Sequence, residues 1–413
     1  MSNYPYRGID YLRSKLVTVR RRALIRYEYY EIKEGHILPK IAIPKELSCA
    51  YKSSIGWCTK AVDALADRLV VTGFESDRMN MQSIFDLNNS DVLFDSAILG
   101  ALITSCDFIY ISQNEDGSPR MQVIDGTNAT GVIDPVTNML VEGYAVLERD
   151  LNTENPTMEA YFVPGETTFY KKGEEPYSIK NAAEYPLLVP IIYRPDAKRQ
   201  FGHSRISRAC MDLQDKAKDV LTRAAVTAEF YSYPQKYVLG LSDEAEGWNT
   251  YKQTISSMLR FDKDEDGDKP VVGQFSQQSM QPHIEHFKMY ASAFCGETGL
   301  TMDDIGFVQT NPSSAEAIKS AHENLRATAA KAQRTFGTGF LNAGFLCCCI
   351  RDNKAYNRSA IFETKVRWNP IIEPDAAMLS SIGDGALKIN QAVDGYFSKG
   401  SLEKLTGIKA AEE

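Results

Sequence analysis

The segment from Glu297 to Arg334, ETGLTMDDIGFVQTNPSSAEAIKSAHENLRATAAKAQR, constrains the fold more than any other part of the chain. It reads as the end of one helix, a loop, and the start of a long amphipathic helix. Thr298-Gly299-Leu300 closes the first helix, because glycine tolerates the left-handed backbone at a helix end. Asn311-Pro312-Ser313-Ser314 opens the second, with Ser313 or Ser314 as N-cap and Glu316 and Glu323 ahead of the basic residues. Ile318, Ala321, Leu325, Ala329, Ala332, Phe336 and Phe340 then recur at steps of three and four, which predicts one buried face over many turns. None of these positions offers catalytic chemistry.

The other elements frame this segment. A helix is expected from Tyr11 to Tyr30 on Leu12, Leu16, Val19, Ala23, Leu24 and Tyr27, its basic run forming a solvated face balanced by Glu28, Glu31 and Glu34. A second runs from Ser53 to Leu69 with Gly73 as its stop, and a third covers residues 90–105. The period then changes to short strand-like runs, from Phe108-Ile-Tyr-Ile-Ser to Thr168-Phe-Tyr. Turn signals such as Asp134-Pro135 separate them, and Pro190–Arg194 closes a small antiparallel region. A helix opened by Ser204 and running to Tyr231 would be roughly 40 Å long at ~1.5 Å per residue. A second rod follows from Pro282 to Thr298. Between them lies an insert with strands at Lys236–Leu239 and Val271–Phe275, a helix near Trp248, and an acidic loop. The long helix reaches Arg351, with Gly337, Gly339 and Gly344 as points of bending. A strand at Phe362–Trp368 and a helical tail, interrupted at Gly383, Gly385, Gly395 and Gly400, complete an α+β chain.

Composition excludes several classes. At 413 residues, 43% hydrophobic and 24% charged, the chain is ordinary for a globular protein of two or more domains. No apolar run reaches membrane-spanning length, and no secretory leader is expected. Eight cysteines, three of them adjacent at Cys347–Cys349, read as reduced, mostly buried small hydrophobes. A net charge of −8 argues against tight nucleic-acid binding on a basic face, and is compatible with a conduit through which DNA slides.

Candidate chemistry is thin. Asp262, Asp264, Glu265, Asp266 and Asp268 match the first half of a calcium loop, but Gly273 stands where the bidentate Glu belongs, so an acidic turn is expected. His283, Glu285, His286 and Cys295 fit no zinc spacing. Gly202-His-Ser204-Arg205 lacks the second glycine of a nucleophile elbow, and Ser204 as an N-cap accounts for it. No phosphate-binding Gly-x-x-x-x-Gly-Lys run is present. Neither a metal nor a cofactor is expected, and no enzymatic activity. The alternatives from the residues are a cytoplasmic metal-dependent hydrolase using the acidic and histidine clusters, and a generic scaffolding or capsid-like protein.

The order helix, Gly/Asn/Thr/Pro loop, long returning helix opened by Ser-Ser-x-Glu-Ala resembles the tunnel-loop region of siphophage-type portal proteins. The resemblance extends by element order over nearly the whole chain. It implies an αβ wing at residues 1–203, a stem helix at 204–232, a small αβ clip at 233–280 and a second stem helix at 281–300. A tunnel loop at 301–314, a spine helix with the C-terminal part of the wing at 315–372 and a short helical crown at 373–413 would follow. Portal proteins often carry proline where this chain has Arg205. The resemblance further implies a homo-oligomeric ring, usually a dodecamer, at one vertex of a virion assembled in a bacterial cytoplasm. Double-stranded DNA would pass Phe307, Val308, Gln309, Thr310 and Asn311. Large terminase would dock on the clip at Asp262, Asp264, Glu265, Asp266 and Asp268. Major capsid and scaffolding proteins and a head-completion adaptor would be further partners, and a membrane would not.

Overall fold

The computed structural model describes residues 6–33, 53–232, 236–239, 271–274, 279–307, 320–371 and 376–408. In chain order these form α1 (Ile9–Tyr30), α2 (Trp57–Ala66), β1 (Val71–Glu75), α3 (Met81–Leu87) and α4 (Ser90–Thr104). Eight strands follow: β2 (Cys106–Gln113), β3 (Pro119–Ile124), β4 (Ala129–Ile133), β5 (Leu140–Arg149), β6 (Pro156–Val163), β7 (Glu166–Lys171), β8 (Tyr177–Lys180) and β9 (Leu188–Ile192). Then come α5 (Arg208–Ser232), β10 (Lys236–Leu239), β11 (Val271–Gln274) and α6 (Gln281–Thr298). The chain continues with α7 (Glu323–Arg351), β12 (Lys365–Trp368), α8 (Ala376–Ala392) and α9 (Lys399–Thr406). The architecture is α+β, and the chain divides into two compact units.

In the larger unit, β3-β2-β9 form one antiparallel sheet and β4 to β8 a five-stranded meander. Every residue of β9 is buried, as expected of a strand covered on both faces. Both α4 and α7 pack on the three-stranded sheet. They meet edge to face at Phe94 and Phe340, with ring centroids 4.7 Å apart. The long periodic face is present: Leu325, Ala329, Ala332, Phe336 and Phe340 are all buried, whereas Ala321 is exposed and Ile318 lies outside the described residues.

The glycines of α7 do not break it. A side chain at Gly339 would come within 2.7 Å of Ile191 Cδ1, and one at Gly344 within 2.7 Å of Met81 Sδ. Both glycines therefore let neighbours approach the helix closely, and packing outweighs their low propensity. Gly383 and Gly385 likewise lie inside α8 and Gly400 inside α9, so among the described residues the expected interruption of the tail is found only between the two helices, at Gly395. Gly73 is not a helix stop: α2 ends earlier, and Gly73 sits in β1 at an irregularity opposite Arg367 of β12. The strand expected from Phe362 begins only at Lys365, after a 3-10 turn at Arg358–Ile361.

The basic face of α1 is only partly solvated. Leu12 and Leu16 join Tyr144 and Val146 in an apolar cluster, while Leu24 is exposed. Around them, Arg13 pairs with Glu159 at 2.5 Å and Arg20 with Glu154 at 2.6 Å. Lys15 donates to Gly131 O and Arg26 to Thr104 O. The buried Glu142 carboxylate accepts the amides of Arg7 and Gly8, tying the start of α1 to β5. The expected solvated face thus fastens the helix to the sheets, because long cationic side chains reach carbonyls and carboxylates beyond the apolar stripe.

In the smaller unit, β10 and β11 pair antiparallel, from Lys236 opposite Gln274 to Leu239 opposite Val271. The helix expected near Trp248 lies outside the described residues. No described helix is long and apolar enough to cross a membrane.

Candidate functional site

The start of α5 and the end of α6 are fastened at one point. Arg205 is only 8% exposed, and its guanidinium donates to Ala61 O at 3.2 Å and to Thr298 O at 2.5 Å. It therefore joins α2, the approach to α5 and the last turn of α6. A buried cation satisfied by two carbonyls is a strong, direction-specific clamp, since removing the carbonyls would leave a desolvated charge short of acceptors. Beside it, Ser207 Oγ donates to Glu297 Oε1 at 3.1 Å and accepts the Cys210 amide at 3.2 Å. Ser207 is thus the N-cap of α5. Ser204, the residue the sequence favoured, instead donates to Ile103 O and accepts the Ile206 amide, because the chain makes one more turn before the helix starts.

The loop beyond α6 has a built root. Gly299 adopts φ +72°, and its amide donates to Cys295 O, ending the helix as expected. Thr301 and Asp304 then cap each other. The Asp304 carboxylate accepts the Thr301 amide at 2.8 Å and hydroxyl at 2.9 Å, while Thr301 Oγ1 accepts the Asp304 amide at 3.2 Å. This reciprocal pattern starts the 3-10 turn Asp303–Ile305, which packs on α2. The spacing Thr-x-x-Asp was readable in the sequence as a capping box, and the propensity reading passed over it. Cys295 donates to Thr301 O, and burial, with Asp304 nearby, pushes its thiol up to about 11. The thiol is therefore a packed donor here rather than a nucleophile.

Of the expected loop contacts, Phe307 is described: it is half-buried, and its amide donates to Met302 O at 3.0 Å. Val308, Gln309, Thr310 and Asn311 lie outside the described residues, as do Asp262, Asp264, Glu265, Asp266 and Asp268. The His283, Glu285, His286 and Cys295 set does not converge. His286 is exposed and meets the Tyr290 hydroxyl, while Cys295 faces Thr301 and Met302. No metal-ligand cluster occurs among the described residues. The arrangement is built to hold backbone in place.

Residues 21–387 match a protein family described as phage portal protein, SPP1 Gp6-like. A portal protein of Mycobacterium phage L5 is 24% identical over 321 residues, covering 72% of this chain and 65% of that protein. A portal protein of Mycobacterium phage D29 is 23% identical over 333 residues, covering 75% and 67%. The chain thus spans about two thirds of the length of these relatives. Among solved structures, a chain of the virion of a native gene transfer agent particle aligns with TM-score 0.48 at 12% identity, over 96% of this chain and 100% of that one. A chain from the neck of the native particle, computed with C12 symmetry, aligns with TM-score 0.46 at 14% identity, over 96% and 100%.

Proposed function

The chain belongs to the SPP1 Gp6-like phage portal protein family, a family of structural rather than enzymatic proteins of the phage head-tail neck, and from that premise we propose a mechanical function for it. Copies of this chain close into a ring, a dodecamer, around an axial channel at a single capsid vertex. Double-stranded DNA passes through that channel during packaging and ejection. In this reading the ring nucleates procapsid assembly with major capsid and scaffolding proteins, docks the large terminase, and later holds the head-completion adaptor.

The observation that carries the reading is the family match over residues 21–387, almost the whole chain. The Arg205 clamp supports it by joining, within the larger unit, the approach to α5 and the last turn of α6, the two proposed stem helices. The capped turn Asp303–Ile305 gives the proposed tunnel loop, 301–314, a fixed point of departure. Small polar and aromatic groups at Phe307 to Asn311 would touch DNA without gripping it, because few phosphate-neutralising contacts mean weak hold. The acidic run Asp262–Asp268 of the proposed clip would offer charge to a basic terminase surface. A heterologous interface that closes is needed for a ring.

Native mass spectrometry with negative-stain imaging of the purified protein tests the reading. Closed rings of about a dozen subunits with an axial hole are expected. A species that stays monomeric at every concentration and hydrolyses phosphoesters in a metal-dependent way would overturn it in favour of a hydrolase.

A further inference from the structure

A cavity of about 750 Å³ in the larger unit carries a charge pattern that the portal reading does not use. One wall is α1 and the residues before it, which contribute Arg7, Lys15, Arg22 and Arg26. Lys198, Arg199 and Arg208 complete the set, and the described lining residues include no Asp or Glu. On a chain of net charge −8, seven cations and no acid among the described residues of one cavity is a large local departure.

The same helix supplies a control. Arg13 and Arg20 lie more than 100° away around α1 at ~100° per residue, and both have carboxylate partners, Glu159 and Glu154. Among the described residues, none of the seven cavity cations forms an ion pair. Lys15 is satisfied by Gly131 O and stands 4.4 Å from the centre of the Phe201 ring; Arg26 donates to Thr104 O. The nearby Asp196 is already engaged by His203 and by the amides of Lys198 and Arg199. Burial takes the Lys15 ammonium down to about 8 and lowers Arg26, where Arg199 and Arg22 add repulsion. Like charges gathered in a concave, partly desolvated space are unfavourable until an anion enters.

We propose that this cavity is a binding site for clustered phosphate groups, supplied by a free polyphosphate compound or by the backbone of a single nucleic-acid strand. Phosphate concentrates nearly two negative charges and three acceptor oxygens on one centre, which suits many cations in a small volume. Five of the seven are arginines, whose planar fork takes phosphate oxygens two at a time. A duplex is too wide to enter a space of this size, so a nucleic-acid ligand would be single-stranded. The inference stands whether or not the chain forms a ring.

Isothermal titration of the full-length protein with tripolyphosphate, with a short single-stranded oligonucleotide and with a hexaglutamate peptide tests it. The variants are Arg22→Gln combined with Arg199→Gln, both exposed positions, and Arg21→Gln as an exposed α1 control outside the cavity. Saturable tripolyphosphate binding, weakened at least about tenfold by the double variant and unchanged by Arg21→Gln, is expected. An oligonucleotide that binds more tightly than tripolyphosphate, with the same variant response, supports the site and assigns its source to nucleic acid. Absence of saturable binding to either phosphate compound, preference for hexaglutamate, or equal weakening by Arg21→Gln overturns the proposal. Unchanged circular dichroism of the double variant separates lost binding from lost fold.

Discussion

Lys15 shows how one residue couples packing to pH. Its ammonium is drawn into the wall between α1 and the meander, donates to Gly131 O, and is held at about 8 against an ordinary value of 10.5. Because the folded state binds this proton less tightly than the unfolded chain, the penalty is full below pH 8 and fades as pH rises to 10.5. Stability of the wild type relative to Lys15→Met should therefore rise across that window, by at most about 3 kcal/mol. Urea unfolding of both proteins between pH 7 and 10.5 measures it, and parallel curves would refute the assignment. The tyrosines Tyr27, Tyr30, Tyr144 and Tyr161, all pushed upward by burial, titrate in both proteins and cancel in the difference. The residue type and its place on a helix were visible in the sequence. Its depth was not, because burial of a lysine stem depends on the strands laid across it.

Among the elements, α5 and α6 depend on a contact that neither specifies alone. Their boundaries were largely legible: Gly299 stops α6 as expected, and the start of α5 is misplaced by only a few residues. The clamp was not legible, because Arg205 and Thr298 are far apart in sequence and a buried arginine is rare without a carboxylate. Arg205→Met should destabilise the fold by roughly 2–4 kcal/mol, since the guanidinium bonds to Ala61 O and Thr298 O that join three segments are lost. Hydrogen exchange should rise most at residues 299–307, whose turn rests on the same base. Protection there equal to wild type would mean that the capped turn holds itself. Three elements escaped the sequence reading for physical reasons, the first being β1, whose Gly73 reads as a helix stop and whose pairing partner β12 is distant in sequence. The seven residues of α3 are too few to display a helical period, and β8 is exposed at every position, so it shows no alternation.

For the whole molecule, the seven described cysteines form no disulfide and are buried, and burial raises the thiols of Cys106, Cys210, Cys295, Cys347, Cys348 and Cys349. Alkylation of the native protein should therefore leave these seven unmodified, and labelling should follow global unfolding. Peptide mapping at increasing urea reads this directly, and early labelling at Cys347–Cys349 would mean that α7 opens ahead of the rest. The sequence by itself determined the α+β class, most of the succession of helices and strands, the stop at Gly299 and the buried face of α7. Each of these rests on spacing along one element, through the period of apolar residues or the backbone freedom of glycine. Only the tertiary structure decided that the glycines of α7 are contact points, that Arg205 joins two helix ends, and that seven cations share a cavity. Those outcomes depend on which distant residues meet, and burial, close approach and charge pairing are properties of the neighbourhood rather than of the residue.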